Sequence, residues 1–433
     1  MELFDFIEKS PNPYFAVRNM AEIFTEAGYT ALSEKDKWKL SPGKYFVTRD
    51  GSSFIAFSIP TSDFRGFNII ASHSDSPAFK IKSNPQMTVE NAYKKLNTEK
   101  YGGMIASTWF DRPLSVAGRV MVESETGVEC RLVNIDRDLV FIPSLAIHMD
   151  RTANEGHKYE FQKELLPLYS SVGSEEDKKD DLMAVVAEAA GTESDKILDS
   201  DLFLYNRQQA VHFGADNEFI SAPRLDDLQC VYGSMSGLLE AEPVDRVAVH
   251  AVFNNEEVGS ETKQGAASNF LTDTIRRICL AFGRSEEYIM RLMTESFMVS
   301  ADNAHAMHPN YPEKADPTNK VTLNGGIVIK YNANQHYTTD AVSGSIMRFI
   351  CKKAGVPVQE YVNPSDIPGG STLGSIATTR LSMNTVDIGL PQLAMHSAFE
   401  TAGAEDTGYF VSMAKTFFSS SISCVEDGKY SIS

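Results

Sequence analysis

Cysteine is scarce and scattered. Five residues, Cys130, Cys230, Cys279, Cys351 and Cys424, are spread over 433 positions, and no two form a C-x-x-C pair. That excludes a thiolate metal site and suits a reducing compartment. Long apolar runs are also missing, and none approaches a membrane span. The opening residues, Met1-Glu-Leu-Phe-Asp-Phe-Ile-Glu-Lys9, put charges where a signal peptide needs an apolar core. These absences predict a cytoplasmic protein. Positive charge is in deficit: 40 Lys and Arg against 58 Asp and Glu, a formal net charge of −18. That argues against nucleic acid or an anionic membrane as the main partner. It says little about the substrate, since a local site can oppose the global charge. There is no internal repeat and no low-complexity tract. The composition is that of an ordinary soluble globular chain, at a length too great for one simple core.

Hydrophobic periodicity predicts a helix over 16–27 and strands over 44–48, 53–58 and 66–72. From about 79 to 212 the texture changes. Strand-like pieces at 115–122, 129–133 and 139–142, with a hairpin turn near Gly127, precede the charged run Ser174-Glu-Glu-Asp-Lys-Lys-Asp-Asp181, expected as a solvated loop, and a helix over 182–190. From 214 onward, helices expected at 228–239, 265–281, 286–295, 340–354 and 408–419 alternate with strands at 246–253, 296–300, 326–330, 358–361 and 384–388. This order predicts an α/β fold with a mostly parallel sheet flanked by helices. Residues 1–78 and 213–433 would form it, and 79–212 would be an inserted β-rich domain.

The stretch Phe253-Asn-Asn-Glu-Glu-Val-Gly-Ser260 carries the chemistry. It follows a buried-strand pattern, Val247-Ala-Val-His-Ala-Val-Phe253, and ends it with two adjacent carboxylates. Charges are seldom buried unless paired or bound to metal. Other polar residues fall at comparable places. His73 follows the strand at 66–72, Asp302 the strand at 296–300, and His396 the strand at 384–388 after a short loop, while Asp226 stands before a helix. Taken singly, each has an ordinary explanation: an N-cap for Asp226, a helix start for the glutamates, a surface position for a histidine. Taken together, they deliver imidazoles and carboxylates to the carboxyl edge of one open sheet, where ligands bind in such folds. Two imidazoles and three of these four carboxylates suit zinc, with cobalt or manganese as alternatives. One ion cannot use them all; two ions about 3.5–4 Å apart, sharing a bridging carboxylate, can.

The chain resembles the M18 metallo-aminopeptidases, whose best-known members are the aspartyl aminopeptidases. The resemblance runs nearly end to end. It rests on Ser10-Pro-Asn-Pro-Tyr-Phe-Ala-Val17, His73-Ser-Asp-Ser-Pro77, Thr108-Trp-Phe-Asp-Arg112, Ile142-Pro-Ser-Leu-Ala-Ile-His148, Arg224-Leu-Asp226, Asn255-Glu-Glu-Val-Gly-Ser260, Ser300-Ala-Asp-Asn-Ala-His305, Gly370-Ser-Thr-Leu-Gly374 and Pro391-Gln-Leu-Ala-Met-His-Ser397. It implies that Asp226 bridges two metal ions, that His73 and Asp302 complete one, and that Glu257 and His396 complete the other. It further implies that Glu256 is the general base and that Asp75 orients His73. His305, Lys330 and Tyr337 match positions near the substrate, with Lys330 the cation that would meet an N-terminal Asp or Glu. His148 matches a histidine that either touches substrate in a neighbouring subunit or serves as a metal ligand. The family's inserted domain dimerises, and its members assemble into dodecamers.

Three positions depart from the pattern: Asp227 where Asn often follows the bridging Asp, Asn254 where Asp often precedes Asn-Glu-Glu, and Asn303 in place of a small apolar residue. None removes a ligand. The expected activity is hydrolysis of the N-terminal peptide bond of peptides, with preference for acidic N-terminal residues. The alternatives are a neutral, Leu-like preference, a di-zinc deacylase, or a non-catalytic shell protein that kept the fold.

Overall fold

The computed structural model describes residues 1–172, 181–370 and 372–433. The expected solvated loop at 174–181 therefore lies outside the described residues, apart from Asp181, whose side chain caps the helix Leu182–Ala190 by accepting from the Met183 N–H.

Among the described residues, nine strands form the principal sheet. Their order is Thr30–Leu32, Gly43–Arg49, Ser53–Ile59, Val247–Phe253, Phe67–His73, Phe297–Ala301, Asn384–Gly389, Ile327–Lys330 and Val358–Tyr361. The four strands Val247–Phe253, Phe67–His73, Phe297–Ala301 and Asn384–Gly389 run parallel at its centre, and antiparallel pairs flank them. Every residue of Ser53–Ile59, Phe67–His73 and Val247–Phe253 is buried, which explains their predominantly apolar sequences. Along Val247–Phe253, odd-numbered side chains join a core with the helices Phe270–Ala281, Glu286–Thr294 and Leu373–Thr378. Ala248 and Val252 face the other core, with Pro13–Glu26, Leu225–Glu240, Ala341–Ala354 and Asp406–Phe418.

Two helix boundaries differ from expectation for local reasons. The first long helix begins at Pro13, because the Asn12 side chain accepts from Tyr14 and Phe15 N–H groups and Pro13 fits the first helical position. The helix expected from 265 begins at Phe270, after a series of turns.

A separate six-stranded antiparallel sheet is drawn from residues 78–206, in the order Gly127–Asn134, Leu114–Ser124, Ile197–Asn206, Ala78–Val89, Tyr93–Tyr101 and Leu168–Ser171. It encloses its own apolar cluster, including Phe79, Trp109, Val116, Val120 and Leu202. The piece expected as a strand at 139–142 makes only isolated bridges, Val140 to Leu114 and Phe141 to Leu168. A five-stranded sheet supports the loops around the site. Its order is Val211–Phe213, Phe219–Ala222, Glu400–Gly403, Pro391–Leu393 and Ala304–His305.

Candidate active site

The parallel register fixes where the polar groups emerge. Phe253 lies beside His73, so the chain leaves two neighbouring strands at one level. Beyond Phe253, Asn255 takes a left-handed conformation (φ 62°), which asparagine tolerates, and turns the chain into Glu256 and Glu257. Asp302 follows the adjacent strand Phe297–Ala301, its N–H bonded to the Ile388 carbonyl. Gly389 permits this approach: a Cβ there would stand 2.1 Å from the Asp302 carbonyl oxygen. Asp226 is not the helix cap, a place taken by Arg224; its own φ and ψ are non-helical and its peptide bond to Asp227 is cis. His396, at φ 66°, sits in the loop beyond Pro391–Leu393.

These residues converge in two donor groups, His73–Asp226–Asp302 and Asp226–Glu257–His396, with Asp226 in both. His73 Nε2 lies 3.6 Å from Asp226 Oδ1 and 3.9 Å from Asp302 Oδ1. His396 Nε2 lies 3.5 Å from Asp226 Oδ2 and 3.4 Å from Glu257 Oε1. His73 Nε2, Asp226 Oδ1 and Glu257 Oε1 are buried and have no hydrogen-bond partner among the described residues. Unpaired buried donors and acceptors are costly, and cations held in the two donor groups would satisfy all three. The donor set and its unsatisfied atoms therefore fit divalent metal.

The electrostatics agree. Burial works against a charged His73, yet Asp226, Asp302 and Asp75 hold its pKa well above the ordinary 6.5. Asp226 is held below the usual carboxylate range, since His396 and His73 outweigh its burial. Burial and the nearby Asp226 push Glu257 well upward. Burial raises Glu256 to about 7, with His73 opposing and Asp302, Asp75 and Asp226 adding to the shift. Glu256 belongs to neither donor group but lines the same cavity.

Asp75 supports the Glu256–Glu257 turn more directly than it supports His73. Its carboxylate accepts the N–H groups of Glu256 and Glu257, both at 3.1 Å, and the Tyr101 hydroxyl at 2.6 Å. His73 Nδ1 is 3.0 Å from the Asp75 carbonyl oxygen and 3.5 Å from its carboxylate. Of the departures from the pattern, Asp227 is buried and accepts the His73 N–H at 3.2 Å, and burial among carboxylates raises its pKa strongly. Asn254 accepts the Asn255 N–H at the start of the turn.

A cavity of 190 Å³ lies over the donor groups, with His305, Lys330, Tyr337, Tyr361 and Met395 in its walls. Lys330 is buried. Its Nζ donates to the Asn303 carbonyl at 2.8 Å, lies 3.8 Å from Asp302 Oδ2, and faces the Tyr337 ring at 5.5 Å. His148 is exposed on the segment between Leu145 and Met149 and joins neither donor group. Sequence reasoning missed Tyr101 and Glu400. Tyr101 ends a lysine-rich strand that resembles any solvated edge. Glu400 stands four residues after His396, spacing that carries no signal outside a helix.

A sheet of this order bearing such donor groups defines a metal-dependent hydrolase. The family is shown by comparison: residues 6–418 match the model of the aminopeptidase I zinc metalloproteases (M18). The chain belongs to this family and is a metallo-aminopeptidase, a hydrolase of peptide bonds. It is 46% identical to "Probable M18 family aminopeptidase 2" of Clostridium acetobutylicum, over 96% of this chain and 98% of the relative. It is 40% identical to "Aspartyl aminopeptidase 1" of Schizosaccharomyces pombe, over 96% and 94%. Among solved structures, it matches "Cryo-EM structure of the Ape4 and Nbr1 complex" with a TM-score of 0.92, 40% identity and coverage of 96% and 84%. It also matches "Structure of S. cerevesiae mApe1 dodecamer" with a TM-score of 0.83, 27% identity and coverage of 96% and 95%.

Proposed function

We propose that this aminopeptidase works with two divalent ions, zinc foremost, and prefers Asp or Glu at the N-terminus of its peptide substrates. The observation that carries the two-ion reading is the presence of Asp226 in both donor groups. His73 and Asp302 would complete one ion, Glu257 and His396 the other. When bound, the ions would polarise the scissile carbonyl and acidify a water. Glu256, a carboxylate in the wall of the same cavity, takes a proton from that water as the water oxygen bonds to the carbonyl carbon. It returns the proton to the leaving nitrogen as the C–N bond breaks. Asp75 holds the Glu256 backbone in place for both transfers.

Lys330 supports the acidic preference, as a buried cation in the wall of a cavity sized for one side chain. The name of the fission-yeast relative points the same way. A neutral, Leu-like preference is the second reading, since Asp302, the Asn303 carbonyl and the Tyr337 ring already engage the Lys330 charge. Residues 79–212 are proposed as an inserted dimerisation domain, in an assembly as large as the dodecamer solved for the yeast relative. Leu145, Ile147 and Met149, exposed on either side of His148, suit such an interface, across which His148 would reach a neighbouring site. The acidic charge suits a cytoplasmic setting without nucleic acid or membrane as partner; among the described residues, no helix is long and apolar enough to cross a membrane.

The test is a metal analysis of the purified enzyme together with Asp, Glu, Leu and Ala N-terminal substrates. Two zinc equivalents per subunit and a higher kcat/KM on Asp or Glu are expected. A single equivalent removes the two-ion reading, and a higher kcat/KM on Leu favours the neutral one.

A further inference from the structure

The candidate ligands and base stand at or just beyond the ends of regular secondary structure, so their own backbone N–H groups need partners. Three buried carboxylates supply most of them. Asp75 accepts from Glu256 and Glu257, and Asp227 from His73. The third, Glu400, accepts twice: Oε2 takes the Asp226 N–H at 3.0 Å and Oε1 takes the His396 N–H at 2.7 Å. We propose that Glu400 is a positioning residue for the metal centre. By binding both N–H groups it sets the separation of Asp226 from His396, and with it the affinity and geometry of the ion they share with Glu257.

Four observations carry this. Neither amide is held by a helix or ladder bond: Asp226 has non-helical angles after a left-handed Arg224, and His396 is itself left-handed. Glu400 has a fixed base. Its strand, Glu400–Gly403, pairs with Phe219–Ala222, which leads to Asp226, and with Pro391–Leu393, which leads to His396. One strand therefore registers both approaches, and its first side chain closes the gap between them. Glu400 is only 2% exposed, and no Lys or Arg among the described residues forms an ion pair with it, so no salt bridge accounts for its burial. Finally, it belongs to neither donor group, so it acts through the ligands rather than as one of them. A carboxylate buried beside Asp226 is unfavourable alone and is offset when a cation occupies the neighbouring donors.

The inference rests on the two-ion reading. The full-length Glu400→Gln and Glu400→Asp variants are compared with wild type. Gln keeps the length but offers one acceptor, and Asp keeps the charge but falls short of both amides. Metal dissociation constants come from competition with a chelator, and ligand geometry from the visible spectrum of the cobalt-substituted protein. Both variants should bind one ion about 10–100-fold more weakly, as expected when a partner of a ligand is lost. The cobalt bands should shift, and the other ion, which shares Asp226 but not His396, should weaken less. Wild-type constants and spectrum in both variants would overturn the proposal. Equal weakening of both ions would also overturn it, as general loosening. A wild type that holds one ion overturns the two-ion reading instead. Should neither variant fold, hydrogen exchange on the wild-type holoenzyme decides: the Asp226 and His396 amides should exchange slowly although outside regular structure, and fast exchange at His396 refutes the clamp.

Discussion

The Lys330 ammonium stands 3.8 Å from Oδ2 of Asp302, so the cation proposed to read the substrate is already joined to a proposed metal ligand. Burial works against its charge, but Asp302 and Tyr337 hold its pKa above the ordinary value, and it stays positive. Lys330→Met should lower kcat/KM on Asp and Glu substrates by about 10–1000-fold, the range for losing a charge-assisted contact. Efficiency on Leu and Ala substrates should stay level or rise. An equal loss on all four would mean that Lys330 acts through Asp302 and the metal rather than on the substrate.

Glu256→Gln should abolish turnover and leave metal content intact, because an amide cannot accept a proton but fills the same space. Steady-state kinetics and metal analysis of one preparation check both halves. Near-wild-type turnover in loaded protein would assign the base elsewhere.

Asp226→Ala should hold at most one weak ion, since both donor groups lose their common member. Metal counted after dialysis is the readout. Two full equivalents would show that the bridge lies elsewhere.

Stability should respond to pH in a way that metal reverses. Without cations, burial raises Glu256 from 4.5 to about 7 and Glu400 from 4.5 to about 8. His73 and His396 are also raised, by Asp226 and neighbouring carboxylates against their burial. Each group binds more protons folded than unfolded, so its contribution is complete below the unfolded pKa and lost as pH climbs through the folded one. Asp226, held low, acts in the opposite sense only below its ordinary 3.8. The chelated protein should therefore lose thermal stability as pH rises from 4.5 to 8. Metal-loaded protein should resist this loss, and binding should release protons. Thermal scans at several pH values, with and without chelator, test it; a chelated protein that gains stability over this range contradicts the assignment.

The proposed role of His148 across subunits predicts complementation. His148→Ala subunits, weakly active alone, and Glu256→Gln subunits, inactive alone, should recover activity when assembled together, because some sites would then pair an intact base with a neighbour's intact histidine. Mixed assemblies no more active than the separate variants would confine His148 to its own subunit.

The sheet and its flanking helices were readable because their signals are local. Strands such as Val247–Phe253, buried on both faces, are apolar at nearly every position, and helices such as Ala341–Ala354 show their periodicity and end in Gly355. The half-exposed strands Ala78–Val89 and Tyr93–Tyr101 escaped notice because one solvated face dilutes their pattern with lysine, asparagine and threonine. Sequence also named the candidate residues, since His73, Asp302 and the Glu256–Glu257 pair fall at or just beyond strand ends. It could not reveal what holds them. The Glu400 carboxylate meets the Asp226 amide only because Glu400–Gly403 lies against Phe219–Ala222. Tyr101 meets Asp75 only because the six-stranded sheet abuts the principal one. Backbone N–H groups are identical in every residue but proline, so which of them needs a buried carboxylate, and which carboxylate reaches it, is decided by the path of the folded chain.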